Sequence, residues 1–297
     1  MRFDSYHPAI NLAYFTAVLA AAVVFDHPCF LAVAYVCAFV YSAALGGRRA
    51  LVFDLALVPL MAAFALYYGA YRHFGVTVLG VNFIGNRITL EALVYGLVLA
   101  GKTAVVLMWL SCMHAVVSSD KLVYLFGRVL PRLSLYLAIV LRAVPRIRER
   151  FRSASLARSG VGRGGQQGGA VRRVRNFLSI ASIVTTWTLE DLVESAASMK
   201  SRGYSLRGRT AFSIYRFDNR DRAFVLALTA LVTLQLMAWL LDQTGALYDP
   251  AIVINRITPM SGVFYAGYAL LCLLPWLLQL AGQRRWRRRV ERRLLRQ

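Results

Sequence analysis

The residues with the clearest chemical character are two arginines that stand between small residues. They belong to the triplets Ala157-Arg158-Ser159 and Ser201-Arg202-Gly203. A guanidinium presents a planar fork of N–H donors that suits a partner carboxylate or the free carbonyls at a helix end. Small neighbours let another backbone approach closely. The pattern predicts two contact points for a partner protein, and the alternative for each triplet is a solvated arginine that caps a helix.

Two ionisable residues interrupt apolar segments. Asp54 lies near the start of one segment, and Lys102 lies well inside another. A charge within a membrane segment marks a functional site by default, here the pathway of an ion-coupled transporter. The alternative places Asp54 at the membrane interface near Arg48 and Arg49, with Lys102 extended to the interface or paired between helices. We favour this alternative.

No residues stand at catalytic or metal-ligand spacing. The sequence contains no GxxxxGK[ST] phosphate loop, no Ser/His/Asp set and no paired carboxylates in an apolar segment. Its cysteines and histidines are scattered, at Cys29, Cys37, Cys112, Cys272, His7, His27, His73 and His114. We therefore expect buried thiols, no metal site, no cofactor and no catalysis by this chain.

Long apolar runs indicate a membrane protein with several spans. Hydrophobic residues make up 58% of the 297-residue chain and charged residues 16%, against about 25% charged in soluble domains. A spanning helix needs about 20 predominantly apolar residues, with a lower limit near 17. Six segments meet this requirement: 9–25, 29–45, 51–70, 92–117, 223–241 and 263–281. The first shows no cleavage site before the second, which argues against a cleavable signal peptide.

Basic residues are distributed unevenly around these segments. If the N-terminus lies inside, 31 of the 35 Lys and Arg residues fall on the inner side, 3 on the outer side and Lys102 within a span. Such an excess of basic residues is typical of cytoplasmic loops. The pattern predicts six spans with both termini in the cytoplasm. A basic surface facing anionic lipid then accounts for the net charge of +21 without nucleic acid.

The predicted fold is an all-α integral membrane protein with about six transmembrane helices and a cytoplasmic pair of long helices. Its parts are a four-helix membrane part at 1–118, a cytoplasmic region at 119–221, two further spans at 222–282 and a basic cytoplasmic tail at 283–297. Glycines concentrate at 160–170 and predict a flexible linker between the long helices. Each long helix is predicted to end at a triplet, with Gly160 and Gly203 as the closing left-handed residues.

Each long helix carries an apolar stripe at helical spacing. The first helix is predicted to begin near Leu133 and to bend at Pro145. Its stripe consists of Val140, Val144, Ile147 and Phe151, beside a basic row of Arg142, Arg146 and Arg150. The stripe of the second helix consists of Phe177, Ile180, Val184, Trp187, Leu189, Leu192, Ala196 and Met199. The stripes predict packing within the chain or, alternatively, a docking face for a partner.

These residues together resemble a known family, the transmembrane T component of energy-coupling factor transporters. Those transporters are modular ABC-type importers of vitamins and transition-metal ions. The resemblance covers most of the chain. It includes the segment Asp4-Ser5-Tyr6-His7-Pro8 before the first span, Asp120-Lys121-Leu122, Leu130-Pro131-Arg132 and residues 139–146. The two triplets match the family's two Ala-Arg-Gly-type motifs, except that Ser159 replaces Gly in the first and Ser201 replaces Ala in the second.

The resemblance implies a mechanism and a set of partners. In the family, two ABC-type ATPase subunits bind two long coupling helices, and the arginine of each motif sits in a groove on one ATPase. The ATPase-binding residues carried over to this chain are Ala157, Arg158, Ser159, Ser201, Arg202 and Gly203. A separate substrate-binding S component contacts the membrane part and the coupling helices. ATP-driven closure of the ATPases reorients it, so this chain is expected to be a non-catalytic coupling subunit in a bacterial or archaeal plasma membrane.

Two other functions are compatible with the sequence. A stand-alone ion-coupled transporter would use Asp54 and Lys102, and would transport substrate in liposomes without partners. A membrane-tethered scaffold for nucleic acid or lipid would use the basic tail and residues 172–175, and would bind DNA or RNA with a steep salt dependence. No aromatic platform accompanies those basic clusters, so the scaffold ranks last. The sequence does not name a transported substrate, because the S component would select it.

Overall fold

The structure is a computed structural model, and it is almost entirely helical. It describes residues 3–72, 75–81, 87–129, 131–162, 164, 169–204, 206, 215, 217–249 and 251–294. Predictions that fall elsewhere, including most of the linker, Leu130, His73 and the end of the basic tail, lie outside these residues. The helices in the described part are α1 Pro8–Val24, α2 Pro28–Tyr71, α3 Leu90–Val116, α4 Ser119–Val129, α5 Pro131–Gly160, α6 Ala170–Ser201, α7 Asn219–Leu240 and α8 Pro259–Leu294.

Two short antiparallel strand pairs depart from the all-α prediction. Strands β1 (Val78–Val81) and β2 (Arg87–Thr89) pair before α3, and strands β3 (Ala246–Leu247) and β4 (Val253–Ile254) pair before α8. These strands are two to four residues long, too short for an alternating pattern to be recognised in the sequence. They satisfy backbone groups in the loops between apolar helices.

The chain divides into two compact units. Met1–Ser118 and Tyr215–Gln297 form the first, called here the membrane unit, and Ser119–Ile214 form the second, called the helical unit. Among the described residues of the membrane unit, four helices are long and apolar enough to cross a membrane: α2, α3, α7 and the part of α8 from Pro259 to Gly282. Only 17–44% of the residues in their apolar windows are buried. Apolar helices with so much exposed surface indicate a membrane protein, because lipid can cover that surface.

Helix α2 is a hairpin of two helices rather than one rod. Gly47 within it has φ +57° and ψ −139°, a conformation that residues with a side chain rarely adopt. Leu31 and Met61 both contact Gly101 of α3, with side-chain carbons 3.0 and 3.6 Å from where a Cβ at Gly101 would lie. In a straight helix the two residues would be about 45 Å apart, since the rise is about 1.5 Å per residue. The chain must therefore turn back at Gly47.

The two arms of this hairpin, residues 28–46 and 48–71, cover the second and third predicted spans. At 19 and 24 residues by these bounds, each arm is long enough to span a bilayer. Helix α1 covers the first predicted span and, at 17 residues, lies at the lower limit of length. The sixth predicted span lies in α8, whose backbone continues as helix into the basic tail.

Both N-terminal helices begin at a His-Pro pair. His7 Nδ1 accepts the N–H of Ala9 at 3.3 Å, and His27 Nδ1 accepts the N–H of Cys29 at 3.2 Å. A proline occupies the first turn of each helix, where its missing N–H costs nothing. The His-Pro pair that contributes to the family resemblance thus acts as a helix N-cap in this structure.

In the helical unit, α5 and α6 pack as an antiparallel pair. Their core consists of Ala154, Ile180 and Val184, with Phe151 packed against it. It joins the C-terminal half of α5 to the N-terminal half of α6. Helix α5 begins at Pro131, two residues before the predicted start, and remains helical through Pro145.

Candidate functional site at the ends of two long helices

The end of α6 is a Schellman turn. The N–H of Gly203 donates to the carbonyl of Lys200 at 3.1 Å, and the N–H of Tyr204 donates to the carbonyl of Met199 at 3.1 Å. These two bonds define the motif, in which the residue after the C-cap is left-handed. Gly203 has φ +77°, so its predicted closing role is confirmed. Arg202 is the C-cap residue itself, and backbone hydrogen bonds on both sides hold it in place.

The side chain of Arg202 is exposed and lines a cleft of about 730 Å³ in the helical unit. Ser201 does not obstruct it, because its hydroxyl donates to the carbonyl of Ser198 at 2.8 Å, back along the helix. Gly203 adds no side chain, although a Cβ there would lie only 3.1 Å from Leu206 Cδ1. The second triplet therefore presents one guanidinium on a rigid turn whose neighbouring residues do not obstruct it.

The end of α5 is built differently. The first triplet lies within the helix, which continues to Gly160. The left-handed residue after it is Gly162, with φ +74°, whereas Gly160 is not left-handed. The prediction that Gly160 closes this helix is wrong, because Gly160 continues the helix and the chain reverses at the next available glycine. The N–H of Gly162 donates to the carbonyl of Ser159, three residues earlier, at 3.1 Å. Hydrogen bonds of this spacing are typical of the last turn of a helix.

Arg158 is half-buried in this last turn. Its Nε is shielded from solvent and has no hydrogen-bond partner among the described residues. A buried donor without an acceptor is unfavourable, so a carbonyl or carboxylate supplied by a partner would stabilise it. Ser159 turns its hydroxyl back to the carbonyl of Leu156, at 2.7 Å.

The two arginines lie at opposite ends of the α5–α6 pair. Arg158 is near the C-terminus of α5, beside the end of the pair where α6 begins. Arg202 lines the cleft between the N-terminal half of α5 and the C-terminal half of α6. With helices of 30 and 32 residues, the pair is about 45 Å long, which follows from a rise of about 1.5 Å per residue.

The cleft beside Arg202 is both basic and apolar. Its charged lining residues are Arg142, Arg146, Arg150, Arg202, Asp191 and Glu194, and its apolar ones include Leu135, Ile139, Leu192 and Met199. Arg150 is already engaged, because it forms an ion pair with Asp191 and donates to the carbonyl of Trp187 at 2.6 Å. The hydrogen bond from Arg150 holds the pKa of the Asp191 carboxyl below its usual value. The cleft therefore favours a partner surface with negative charge.

Some residues of the predicted apolar stripes are buried between the two helices, and others are exposed. On α6, Ile180 and Val184 are buried in the core of the pair. On α5, Val140 and Val144 are 57% and 54% exposed, so only the Phe151 end of that stripe packs within the chain. The predicted basic row of Arg142, Arg146 and Arg150 faces α6 across the cleft.

Asp54 and Lys102 do not form one site. Lys102 Nζ donates to Asp26 Oδ1 at 2.6 Å, so Lys102 is paired as expected, although its partner lies in the turn between α1 and α2 rather than on a helix. Asp54 is completely buried within the protein, and it lies beside Cys112 of α3. Cys112 is ten residues, about 15 Å, from Lys102 along that helix. The interface position expected for Asp54 concerns its depth in the membrane, and it stays a prediction.

Comparisons with known proteins identify no family. No protein-family model matches the chain, and no curated protein matches it. The function must therefore be inferred from the residues and their geometry.

Sequence reasoning missed two features of the candidate site. The first is the role of Tyr204, which occupies the second position after the C-cap, where a Schellman turn places an apolar contact with the helix. Both Tyr204 and Met199 line the cleft. The spacing of Tyr204 from Gly203 could have indicated this. The second is the shielded Nε of Arg158, for which the sequence carries no signal because shielding depends on packing.

Proposed function

We propose that the chain is the transmembrane coupling subunit of an energy-coupling-factor type ABC importer. It would transmit the ATP-driven motion of two ATPase subunits to a substrate-binding S component that takes up a vitamin or a metal ion. The observation that carries the proposal is Arg202, exposed on a backbone-defined turn at the end of a 32-residue helix. A single, rigidly placed guanidinium is suited to bidentate recognition of an acidic partner group.

The separation of the two arginines supports two ATPase partners rather than one. Arg158 and Arg202 lie at opposite ends of the α5–α6 pair, so one compact protein surface could not easily reach both. A hydrophobic core and the Arg150–Asp191 ion pair hold the two helices together. A pair joined in this way can pass on a displacement applied at either end instead of absorbing it.

The proposed topology has six spans with both termini in the cytoplasm. The two arms of α2, together with α1, α3, α7 and α8, supply six apolar helical segments. The basic residues assign the helical unit and the tail to the cytoplasmic side, where ATPases would reach the triplets. A protease-accessibility map in sealed vesicles tests this, and cleavage of residues 119–221 only from the outer face would overturn the proposal.

The decisive experiment is purification of the tagged chain from its native membranes, followed by reconstitution. We expect two ABC-type ATPases and a small membrane protein that binds substrate to co-purify with it. Liposomes containing the whole complex should take up substrate on ATP addition, and liposomes containing this chain alone should not. Uptake by the chain alone, driven by an ion gradient, would instead establish the ion-coupled transporter that Asp54 suggests.

A further inference from the structure

Asp54 is a buried acid that forms no ion pair with any residue the structure describes. It is 0% exposed, and neither of its carboxyl oxygens has a hydrogen-bond partner among the described residues. It lies on the second arm of α2, seven residues after the turn at Gly47. The nearest basic residues along the chain, Arg48 and Arg49, are exposed. An ionised carboxylate in such a place would carry a large desolvation cost, of which the neighbouring hydroxyl of Ser42 would offset only a part.

The groups around Asp54 are polar but not basic. Ser42, on the first arm of α2, and Cys112, on α3, stand beside the carboxyl, and each is only 2% exposed. Tyr35, also on the first arm, is near enough to interact electrostatically with the carboxyl. These three side chains come from the first arm of α2 and from α3, and none of them is basic.

We propose that Asp54 is a proton-binding site in the core of the membrane unit. A proton taken from water forms an O–H bond with one carboxyl oxygen, and that O–H donates a hydrogen bond to Ser42 Oγ. The acid is then neutral, and the hydroxyl of Ser42 ties the two arms of α2 together beside α3. This proposal does not depend on the coupling function, because it concerns residues of the membrane unit alone.

The chemistry of the site favours a proton over a metal cation. Hard cations such as Na⁺, Mg²⁺ and Ca²⁺ prefer to be surrounded by several oxygen ligands. The site offers one carboxylate and one hydroxyl at close range, and its third neighbour, Cys112, is a soft thiol that suits other metals. A proton needs only the carboxyl that binds it and one acceptor.

Protonation of Asp54 is linked to the packing of the two arms of α2 against α3. While the acid is neutral, the arms of α2 can pack against α3 without an uncompensated charge between them. Loss of the proton would leave a charge there, which only entry of water or separation of the arms could solvate. The membrane unit thus holds a group whose protonation state and local packing change together.

Infrared spectroscopy of the full-length protein in lipid at neutral pH tests the proposal. We expect a carbonyl band of a buried carboxylic acid that disappears in Asp54→Asn, a variant nearly isosteric with the neutral acid. The matched control is Asp26→Asn, which removes a carboxylate paired with Lys102 and should leave the band unchanged. The band should shift in Ser42→Ala, which lacks the acceptor, and this reading does not require Asp54→Asn to fold.

Three results would overturn the proposal. The first is a wild-type spectrum without the acid band. The second is a band that Ser42→Ala leaves in place and unshifted. The third is a band that weakens when NaCl replaces choline chloride at constant pH, because sodium would then compete for the carboxylate and the site would be a cation site.

Discussion

The ends of α5 and α6 each carry an arginine between two small residues, but on different backbones. Arg202 is exposed at the C-cap of a Schellman turn. Arg158 is half-buried within α5, with its Nε shielded. The residue after each arginine explains the difference: Gly203 enters the left-handed region at no steric cost, whereas Ser159 stays helical. The position of the next glycine, and not the arginine itself, decides how each guanidinium is presented.

This contrast implies unequal roles for the two triplets. The backbone that carries Arg202 is already fixed by the turn, so partner binding has to order only its side chain. Arg158 is partly enclosed and would have to form its contacts at the side of a helix. We therefore expect the second triplet to contribute more to ATPase binding than the first.

The largest expected effect is that of Arg202→Ala. It should leave membrane insertion intact, weaken ATPase binding by about 30-fold or more, as loss of a central interface arginine does, and abolish ATP-driven uptake. Arg158→Ala should weaken binding and uptake in the same way but by a smaller factor. The measurements are titration of the purified chain with the ATPases proposed as its partners and uptake by reconstituted complexes.

Two further variants sharpen this test. Arg202→Lys keeps the charge but loses the planar fork, so it should restore only part of the affinity. The double variant Arg158→Ala/Arg202→Ala should show no coupled uptake. Normal uptake by the double variant, or equal losses for the two single variants, would contradict the unequal roles.

A smaller effect is expected from alanine at the three glycines near the helix ends. Gly203→Ala and Gly162→Ala should each destabilise the local turn by about 1–2 kcal/mol, because both positions are left-handed. Gly160→Ala should stabilise the end of α5 by up to about 1 kcal/mol, since its position is helical and a Cβ there meets nothing within 4 Å.

Amide hydrogen exchange at the ends of α5 and α6 measures these changes directly. Gly160→Ala is the matched control, as it makes the same chemical change two residues from Gly162. If Gly160→Ala and Gly162→Ala changed protection in the same direction, the assignment of Gly162 as the residue that reverses the chain after α5 would be incorrect.

The smallest expected effect concerns the ion pair that holds α5 to α6. The hydrogen bond from Arg150 lowers the pKa of Asp191 in the folded protein. A carboxyl with a lowered folded pKa stabilises the fold above its unfolded pKa, and this contribution is lost as pH falls through the folded pKa. Protection of α5 and α6 from hydrogen exchange should therefore hold down to about pH 4, the ordinary pKa of an aspartate, and decrease below it.

The matched variant is Asp191→Asn, which keeps the shape of the side chain but cannot ionise. It should show lower protection at neutral pH and a flatter acid dependence. The effect should be small, because both side chains are partly exposed and solvent screens the pair. An unchanged acid dependence in Asp191→Asn would show that another group is responsible.

Local features of the chain were predictable wherever a short-range rule applied. Apolar runs located the long apolar helices of the membrane unit, because a bilayer demands a minimum length of apolar helix. Gly203 was assigned correctly because a glycine directly after an arginine at a helix end is a strong closing signal. The prediction for Gly160 was wrong for a related reason. Several glycines follow the first triplet, and the local rule does not say which one adopts the left-handed conformation.

Contacts between distant segments were not predictable in the same way. The pairing of Lys102 with Asp26 depends on how a turn between two helices meets α3, 76 positions along the chain. The burial of Asp54 depends on the reversal at Gly47, which brings both arms of α2 against α3. A sequence window that contains Asp54 and its basic neighbours favours an interface position, and only packing shows that Arg48 and Arg49 remain in solvent.

The sequence by itself determined that this is a helical membrane protein with a basic, glycine-interrupted insertion and two arginine triplets. Those properties depend on residue type and spacing within about 20 positions, the length of one membrane helix. Only the tertiary structure decided that the two triplets are presented differently, that they lie at opposite ends of one helix pair, and that Asp54 has no counter-charge among the residues the structure describes. These facts depend on which distant side chains meet, and hydrophobic periodicity does not encode that choice.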